Sequence, residues 1–365
     1  MSDPNGEIRN LLESLVRENG EIGLQVAAYL DGELVIDAWA GIAVKPSGRR
    51  VTGETLFTAF SISKGITSTC IHILADRGLI DYDATIAEYW PEFAAKGKGK
   101  ATVRDALAHR VGIPQDPPGF NLEMAKDWDA VCQAVAELEP LWEPGTKTGY
   151  HALTFGWVLG EVIRRVDGRS IGQFLRDEVC RPLRIEGMYF GVPSEQEGQV
   201  ASLQNAPGLA RLELSMTPSL SDPAKAFNSP IVRQAVIPGA GAIVNARSLA
   251  RHYAMLAGGG ELDGVRLLRR ERVAIAALPQ VEEPEVGQFV WWSAHGLGYT
   301  LGGGPGPMQH SRSAFGYEGL GTIGFADPSK SFAFAILKNL LDWSPNEMNT
   351  ATVVAHAVKQ AVGMV

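Results

Sequence analysis

Cysteine is scarce in this chain of 365 residues. It occurs three times, at Cys70, Cys132 and Cys180, and no two cysteines form a C-x-x-C pair. An odd number of scattered cysteines supports neither a disulfide framework nor a zinc site, so we expect buried free thiols. Runs of lysine and arginine are also missing, and the formal net charge is -8. Without a basic patch to neutralise phosphate, neither nucleic acid nor an acidic membrane surface is an expected partner.

No targeting or membrane segment is visible in the sequence. The first seven residues, MSDPNGE, contain neither the basic nor the apolar stretch of a secretory signal. The most apolar stretch near the C-terminus, residues 351–365, is interrupted by His356, Lys359 and Gln360 and is too short to span a bilayer. With 45% apolar and 20% charged residues, the composition predicts a globular protein in the cytoplasm.

Patterns typical of helices and hairpins occur at both ends of the chain. Apolar residues at helical spacing predict an amphipathic helix over residues 8–16. Asp31-Gly32 separates two apolar runs within residues 24–39, which is a strong signal for a two-residue hairpin. A second hairpin is expected over residues 322–337, and a C-terminal helix from about Asn346.

The middle of the chain has a different character, with helical patterns and proline-rich loops. We therefore expect an α/β fold of the α+β type, with an antiparallel β-sheet flanked by helices. Residues 1–82 and 236–365 would form the sheet domain from both chain ends. Residues 83–235 would form a mostly helical inserted domain, with the active site between the two.

Ser61 and Lys64 form an S-x-x-K pair at the start of a predicted helix, which Gly78 is suited to end. Residues three apart lie on the same side of a helical turn. A serine needs a neighbouring base to act as a nucleophile, and a lysine buried among apolar residues has the lowered pKa that this role requires. The pair alone is also explained by an N-cap serine and a surface lysine.

A second motif, residues 168–172, matches the G-x-S-x-G pattern of α/β-hydrolases. That pattern works only where a strand turns sharply into a helix. Here helical patterns lie on both sides, so we expect Gly168 to end one helix and Ser170 to cap the next. The match is therefore interpreted as structural.

Five segments in a fixed order resemble motifs of the serine β-lactamases and penicillin-binding proteins. The first contains Ser61 and Lys64. The other four are VRDALAHRVGIP at 103–114, similar to "LLxHxSGLP"; PGT at 144–146 with YHA at 150–152, similar to "PGT…YSN"; PGAGAI at 238–243, similar to a "GG-small-small" turn; and FGYEGL…GFADP at 315–328, similar to the "GHxG…GFxDP" strand that matches the KTG motif. The pattern looks most like the class C β-lactamase-like esterases, or family VIII carboxylesterases.

The resemblance implies a role for each matching residue. Ser61 would be acylated, and Lys64 would accept or relay its proton. Tyr150 would act as general base, or as the acid for the leaving alcohol. A tyrosine, whose ordinary pKa is about 10, needs a nearby cation to become a base, and Lys64 is the candidate. The backbone N–H groups of Ser61 and Leu320 would form an oxyanion hole. Neither a cofactor nor a metal is expected.

The resemblance also implies substrate-binding positions at Ala152, Tyr317, Glu318 and Gly319. Ala152 replaces the Asn whose amide, in most β-lactamases, grips a substrate amide. Tyr317 stands where a Lys or His is usual, so it offers no cation to the carboxylate of a β-lactam, and Glu318 would repel that carboxylate if it faces the site. These departures favour neutral substrates, and an ester over a β-lactam.

Two pairs of residues near the last motif have alternative interpretations. Arg312 and His310 could supply the positive charge that Tyr317 lacks. A surface position is the commoner arrangement for such residues. Trp291 and Trp292 either line an acyl pocket or, as is commoner, belong to ordinary core packing.

His109 is the candidate base for a conventional Ser-His-Asp site, although its match to the "HxS" element favours a hydrogen-bonded structural residue. We therefore expect a serine carboxylesterase acting on small-molecule esters, short-chain or lactone-like. Amide or D-peptide hydrolysis, β-lactam hydrolysis and acyl transfer are alternatives on the same site. A non-catalytic binding domain that retains the fold is an alternative of another class. The oligomeric state stays open, a homodimer included.

Overall fold

Strands from the two ends of the chain pair in one seven-stranded antiparallel sheet. The computed structural model describes residues 3–207, 209, 215–281, 286, 294–304, 306–308, 311–342 and 349–364. Its strands are β1 (Gly23–Leu30), β2 (Glu33–Val44), β3 (Arg49–Arg50), β4 (Phe57–Thr58), β5 (Met188–Phe190), β6 (Gln204–Asn205), β7 (Ala242–Val244), β8 (Glu261–Leu262), β9 (Val265–Arg266), β10 (Thr300–Leu301), β11 (Phe315–Gly319), β12 (Thr322–Asp327), β13 (Phe332–Lys338) and β14 (Leu340–Leu341). The order across the main sheet is β10-β11-β12-β13-β1-β2-β3. The predicted fold class is therefore confirmed.

Helices flank this sheet and fill the middle of the chain. They are α1 (Pro4–Glu18), α2 (Ile62–Asp76), α3 (Ile86–Tyr89), α4 (Val103–Leu107), α5 (Trp128–Ala136), α6 (Thr154–Asp167), α7 (Ile171–Phe174), α8 (Pro223–Phe227), α9 (Pro230–Gln234), α10 (Ala246–Ala257), α11 (Arg270–Ala276) and α12 (Thr350–Ala361). A π-helical segment, Leu175–Cys180, continues α7. The predicted terminal helices are confirmed as α1 and α12. The expected start of α12 at Asn346 lies outside the described residues.

Both predicted hairpins are present. Asp31 and Gly32 join β1 to β2 with φ values of 51° and 84°, the positive values that a two-residue type I′ turn requires. Leu30 pairs directly with Glu33 across this turn. The second hairpin joins β12 to β13 through a short 3₁₀ helix, Pro328–Lys330.

Apolar helix faces cover both sides of the sheet. On one side α1 and α12 pack against it through Ile8, Leu12, Val354 and Val358, all of which are buried. On the other side lie α2 and α10, whose buried residues join a larger core. Since β1 is covered on both faces, nearly all of its residues are buried. This arrangement places the first turn of α2 beside the end of β11.

Residues 83–235 contain α3 to α9 and only the short strands β5 and β6 among the described residues. β5 pairs with β7, which also pairs with β4, and β6 pairs with β14. Strands from the middle of the chain thus pair with strands from its ends. The middle is mostly helical, as expected, while the division into two domains stays a prediction.

The G-x-S-x-G match has the structural role expected of it. Gly168 ends α6 in a left-handed conformation with a φ of 87°. Ser170 caps α7, and its side chain accepts a hydrogen bond from the backbone N–H of Gln173. A serine that caps a helix between two helices is not on the strand-to-helix turn that this motif needs.

The three cysteines are buried and free, as expected. No helix in the described part of the chain combines the length and the apolar character needed to cross a membrane.

Candidate active site

Ser61 lies between β4 and α2, directly before the first residue of the helix. The preceding residue, Phe60, has a φ of 47°, a left-handed conformation that non-glycine residues rarely adopt. The Ser61 side chain caps no backbone N–H of α2. Ser63 accepts a hydrogen bond from the backbone N–H of Ala242 (2.9 Å) and ties the start of α2 to β7. Ser61 therefore occupies the N-cap position of α2 without capping it through its side chain, and its hydroxyl is used elsewhere.

Lys64 is fully buried in the first turn of α2, so the surface interpretation of this lysine is wrong. Its Nζ donates to the backbone carbonyls of Ala152 (2.9 Å) and Gly239 (2.7 Å) and lies 3.3 Å from Ser61 Oγ. Desolvation on burial holds the pKa of Lys64 well below its ordinary value. A neutral amine next to a serine hydroxyl is a proton acceptor.

Tyr150 reaches the same hydroxyl from the loop that precedes α6. Its phenol donates to Ser61 Oγ over 2.6 Å. Lys64 Nζ lies 4.6 Å from the centre of its ring, close enough for an ammonium to stabilise a phenolate. The structure thus brings together the three side chains that the sequence predicted to be catalytic.

The backbone on each side of Tyr150 is held by His109. The N–H of Gly149 donates to the His109 carbonyl (3.0 Å), and the N–H of His151 donates to His109 Nδ1 (3.0 Å). The other ring nitrogen, Nε2, is 2.8 Å from the hydroxyl of Tyr317. Because both nitrogens have other partners, His109 is the structural residue that the sequence favoured rather than the base of a Ser-His-Asp site.

Gly239, which supplies the second carbonyl to Lys64, belongs to a turn that packs closely on α6. A Cβ atom on Gly156 of α6 would lie 2.0 Å from the Gly239 nitrogen, so this approach requires glycine. Thr67 of α2 donates to the carbonyl of Pro238 (2.9 Å) and fixes the turn from the other side. The sequence predicts this turn but not its contact with the lysine, because a local pattern does not show which distant side chain a carbonyl meets.

The end of β11 lies against the backbone of Ser61. A Cβ atom on Gly319 would be 2.7 Å from the Ser61 nitrogen, so a side chain is excluded there. Leu320 follows with a φ of 50°, and Thr322 donates to the Gly319 carbonyl (2.6 Å). Within the described parts of the chain, neither the N–H of Ser61 nor that of Leu320 has a hydrogen-bond acceptor. Two N–H groups without an acceptor in the described residues therefore belong to two segments that pack together at Gly319.

The expected substrate-binding residues have different surroundings. Ala152 is buried, and its carbonyl is taken by the lysine. Tyr317 is buried on the side of β11 that faces α2, whereas strand alternation places the exposed Glu318 on the opposite side. Contact of these residues, or of Gly319, with a substrate stays a prediction.

Arg312 is exposed, as expected of a surface position. His310, Trp291 and Trp292 lie outside the described residues. The described part of the chain contains no group of three or more His, Cys, Asp or Glu side chains arranged to hold a metal ion.

Comparison with known proteins identifies the family. The Beta-lactamase family model matches residues 8–359. The chain is 36% identical to Esterase/beta-lactamase LipL of Mycobacterium tuberculosis over 343 residues, which cover 87% of this chain and 77% of that protein. A solved family VIII carboxylesterase is 30% identical, with a TM-score of 0.89 over 99% of this chain and 98% of that one. A penicillin-binding protein homologue from Caulobacter crescentus is 29% identical, with a TM-score of 0.85 over 99% and 97%. The resemblance read from the motifs is confirmed, and the chain belongs to the beta-lactamase family of serine hydrolases.

Proposed function

We propose that the protein hydrolyses carboxylic esters through an acyl-enzyme on Ser61. One observation carries the proposal: Ser61 Oγ is 2.6 Å from the Tyr150 hydroxyl and 3.3 Å from Lys64 Nζ. A serine nucleophile needs a base, and a leaving alkoxide needs an acid. A tyrosine and a lysine with a depressed pKa, both in contact with one serine, supply these two functions.

The hydrogen bonds of Lys64 indicate where the serine proton goes. A neutral amine has two N–H donors and one lone pair. The carbonyls of Ala152 and Gly239 take the two donors, which leaves the lone pair for the Ser61 hydroxyl. As Ser61 Oγ bonds to the ester carbon, its proton passes to Lys64 and the electron pair of the carbonyl moves onto the carbonyl oxygen.

The negative charge on that oxygen needs fixed donors, and the N–H groups of Ser61 and Leu320 are available for it. They belong to different elements, α2 and the end of β11. Gly319 supports this arrangement, because only a residue without a side chain lets the strand approach the Ser61 nitrogen so closely.

Collapse of the tetrahedral intermediate breaks the bond to the alcohol oxygen, which takes a proton from Tyr150. The resulting phenolate is stabilised by the newly formed Lys64 ammonium. In the second half of the reaction, water gives its proton to the phenolate and attacks the acyl carbon. Ser61 then leaves with the proton held by Lys64, so both groups return to their starting states.

Neutral, short-chain or lactone-like esters are the proposed substrates, in the cytoplasm and without a cofactor. Tyr317 supplies no positive charge for a substrate carboxylate, and Ala152 supplies no side-chain amide. Glu318 lies on the opposite side of β11 from Tyr317, so the preference for neutral substrates rests on Tyr317 and Ala152.

A second candidate is β-lactam hydrolysis. LipL, the relative that is 36% identical, is named for both esterase and β-lactamase. The absence of a cation at Tyr317 argues for the ester as the better substrate of the two.

Burst kinetics with p-nitrophenyl acetate and p-nitrophenyl butyrate test the proposal, with nitrocefin measured in parallel. We expect turnover of both esters, kcat/KM for nitrocefin at least about 100-fold lower, and loss of all activity in Ser61→Ala. Ser170→Ala, which removes the serine of the structural G-x-S-x-G match, is the control and should keep wild-type rates. Faster nitrocefin turnover would establish the second candidate. No turnover of any of the three would support a non-catalytic binding domain instead.

A further inference from the structure

A buried histidine–tyrosine pair lies beside the reacting groups and has no part in the proton transfers above. His109 and Tyr317 are 1% and 3% exposed, and His109 Nε2 is 2.8 Å from the Tyr317 hydroxyl. We propose that this pair is a positioning unit that holds Tyr150 against Ser61. The inference rests on the proposed function of the site, since it concerns how Tyr150 is kept ready for proton transfer.

The first support is the backbone around Tyr150. His109 accepts hydrogen bonds from the N–H groups of both neighbours of this tyrosine, Gly149 through its carbonyl and His151 through Nδ1, each over 3.0 Å. His109 itself has a φ of 59°. A non-glycine residue keeps this unfavourable conformation only where its surroundings impose it. The two bonds are such a constraint, and they fix the segment that carries Tyr150.

The second support is direct contact between the rings. The His109 and Tyr150 ring centres are 4.8 Å apart, with planes inclined by 34°. Phe155 of α6 contacts the same imidazole at 5.0 Å. The plane of the Tyr150 ring, and with it the direction of its hydroxyl, therefore depends on the orientation of the imidazole.

The third support is the protonation state of His109. Nδ1 accepts the His151 N–H, so the proton of a neutral ring is on Nε2 and is donated to the Tyr317 hydroxyl. The groups that face His109 are Lys64, Tyr150, His151, His295 and Tyr317. Burial keeps the pKa of His109 well below its ordinary value. A protonated ring would lose its bond from His151, so the clamp requires the neutral form.

Tyr317 completes the unit by fixing the tautomer of His109 from β11. Without the Tyr317 hydroxyl, Nε2–H has lost this acceptor, and the imidazole can rotate or move its proton to Nδ1. Either change releases the His151 N–H and loosens the loop of Tyr150. The same strand ends at Leu320, so the pair also links the loop of the acid–base residue to the strand of the proposed oxyanion hole.

Tyr317→Phe tests the inference, with Tyr299→Phe as the matched control. Tyr299 is also a buried tyrosine whose hydroxyl shares a hydrogen bond, with Thr69 (2.8 Å), and its ring contacts His72 and Phe315. We expect Tyr317→Phe to lower kcat for p-nitrophenyl butyrate about tenfold with little change in KM, since small misplacements of reacting groups act on the chemical step. Its kcat–pH profile should also shift. Tyr299→Phe should keep both the kcat and the profile of the wild type.

His109→Asn is a second test variant. Asparagine tolerates the left-handed backbone at this position, because it adopts positive φ more readily than most residues. Its amide oxygen can accept the His151 N–H, so kcat should exceed that of His109→Leu.

The rate at which a fluorophosphonate labels Ser61 separates this inference from the proposed function. Slower labelling in Tyr317→Phe than in Tyr299→Phe supports the positioning role, even if no ester is turned over. A lack of ester turnover would overturn the ester assignment alone. Equal labelling and equal kcat in the two variants would overturn the positioning role and leave the ester assignment intact.

Discussion

Lys64 and Lys98 are both completely buried, and each is held by backbone carbonyls. Lys98 donates to three of them, those of Ala95 (2.8 Å), Ala136 (2.8 Å) and Leu138 (2.6 Å). Lys64 donates to two, and its remaining contact is the Ser61 hydroxyl. Burial lowers the pKa of Lys98 to about 8, whereas the pKa of Lys64 is lowered well below its ordinary value.

The difference indicates how one residue type can serve stability at Lys98 and, in the proposed function, chemistry at Lys64. At neutral pH Lys98 is mainly an ammonium whose three N–H groups are all satisfied, so it joins chain segments through charge-assisted hydrogen bonds. The pKa of Lys64 is held well below its ordinary value by burial, and its amine lies beside a serine hydroxyl. In the proposed function, Lys64 differs from Lys98 because a serine hydroxyl, and not a third carbonyl, lies beside its amine.

The largest expected effect separates the two lysines by activity. Lys64→Met removes the proton acceptor, so ester hydrolysis should fall by about 10³-fold or more. Lys98→Met leaves the site intact and should keep kcat/KM within about twofold of wild type. Initial rates with p-nitrophenyl butyrate measure both. Similar losses in the two variants would mean that Lys64 acts through the fold and not through chemistry.

The next largest effect concerns stability, which Lys98→Met should lower more than Lys64→Met. Lys98→Met leaves three buried carbonyls without their charged donor, so the free energy of unfolding should fall by about 2 kcal/mol. Lys64→Met also frees two carbonyls, but it removes an amine whose burial is opposed by strong desolvation, so we expect a change below about 1 kcal/mol. Urea denaturation followed by circular dichroism measures both. A larger loss for Lys64→Met than for Lys98→Met would contradict this assignment.

A smaller effect tests whether the carbonyl cage around Lys64 is rigid. Gly156→Ala would place a Cβ 2.0 Å from the Gly239 nitrogen and displace the turn that carries a Lys64 acceptor. We expect kcat to fall about tenfold. Gly99→Ala, next to Lys98, meets only ordinary contacts beginning at 3.6 Å and serves as control with unchanged kcat. Wild-type kcat in Gly156→Ala would show that the Gly239 carbonyl does not need its present position.

The smallest effect is the pH dependence of stability. Because the pKa of each lysine is lower in the folded protein, the unfolded chain binds more protons, and stability rises with pH up to the unfolded pKa of about 10.4. The Lys98 contribution begins near pH 8, and burial gives Lys64 a contribution of the same sign, because its pKa is also held well below the ordinary value. Denaturation at several pH values should show that Lys64→Met and Lys98→Met each reduce the rise of stability with pH. An unchanged rise in Lys64→Met would mean that the pKa of Lys64 is not lowered on folding.

Much of the site could be predicted from the sequence because its parts lie in short motifs. Ser61 and Lys64 are three residues apart on one helix, and the Asp31-Gly32 hairpin and the Gly168–Ser170 junction follow from local turn and capping preferences. Tyr150 is far from Ser61 in sequence. Only its place in an ordered set of motifs points to it, since no local rule brings two such segments together.

What the sequence could not show depends on tertiary contacts of backbone atoms. The Gly239 carbonyl on Lys64 and the clamp of His109 on the neighbours of Tyr150 are contacts between segments far apart in the chain. Every residue has a backbone carbonyl, and nearly every residue has an N–H group, so the residue types do not show which of these groups form such contacts. The pairing of His109 with Tyr317 has the same cause, since each residue has an unremarkable local context.

The most direct test of the central claim is to map the covalent adduct of a fluorophosphonate by mass spectrometry, in the wild type, in Lys64→Met and in Lys98→Met. A serine activated by Lys64 should carry the adduct at Ser61 in the wild type and in Lys98→Met, and should be labelled far more slowly in Lys64→Met. An adduct at another serine, or equal labelling of Ser61 in all three proteins, would contradict the account.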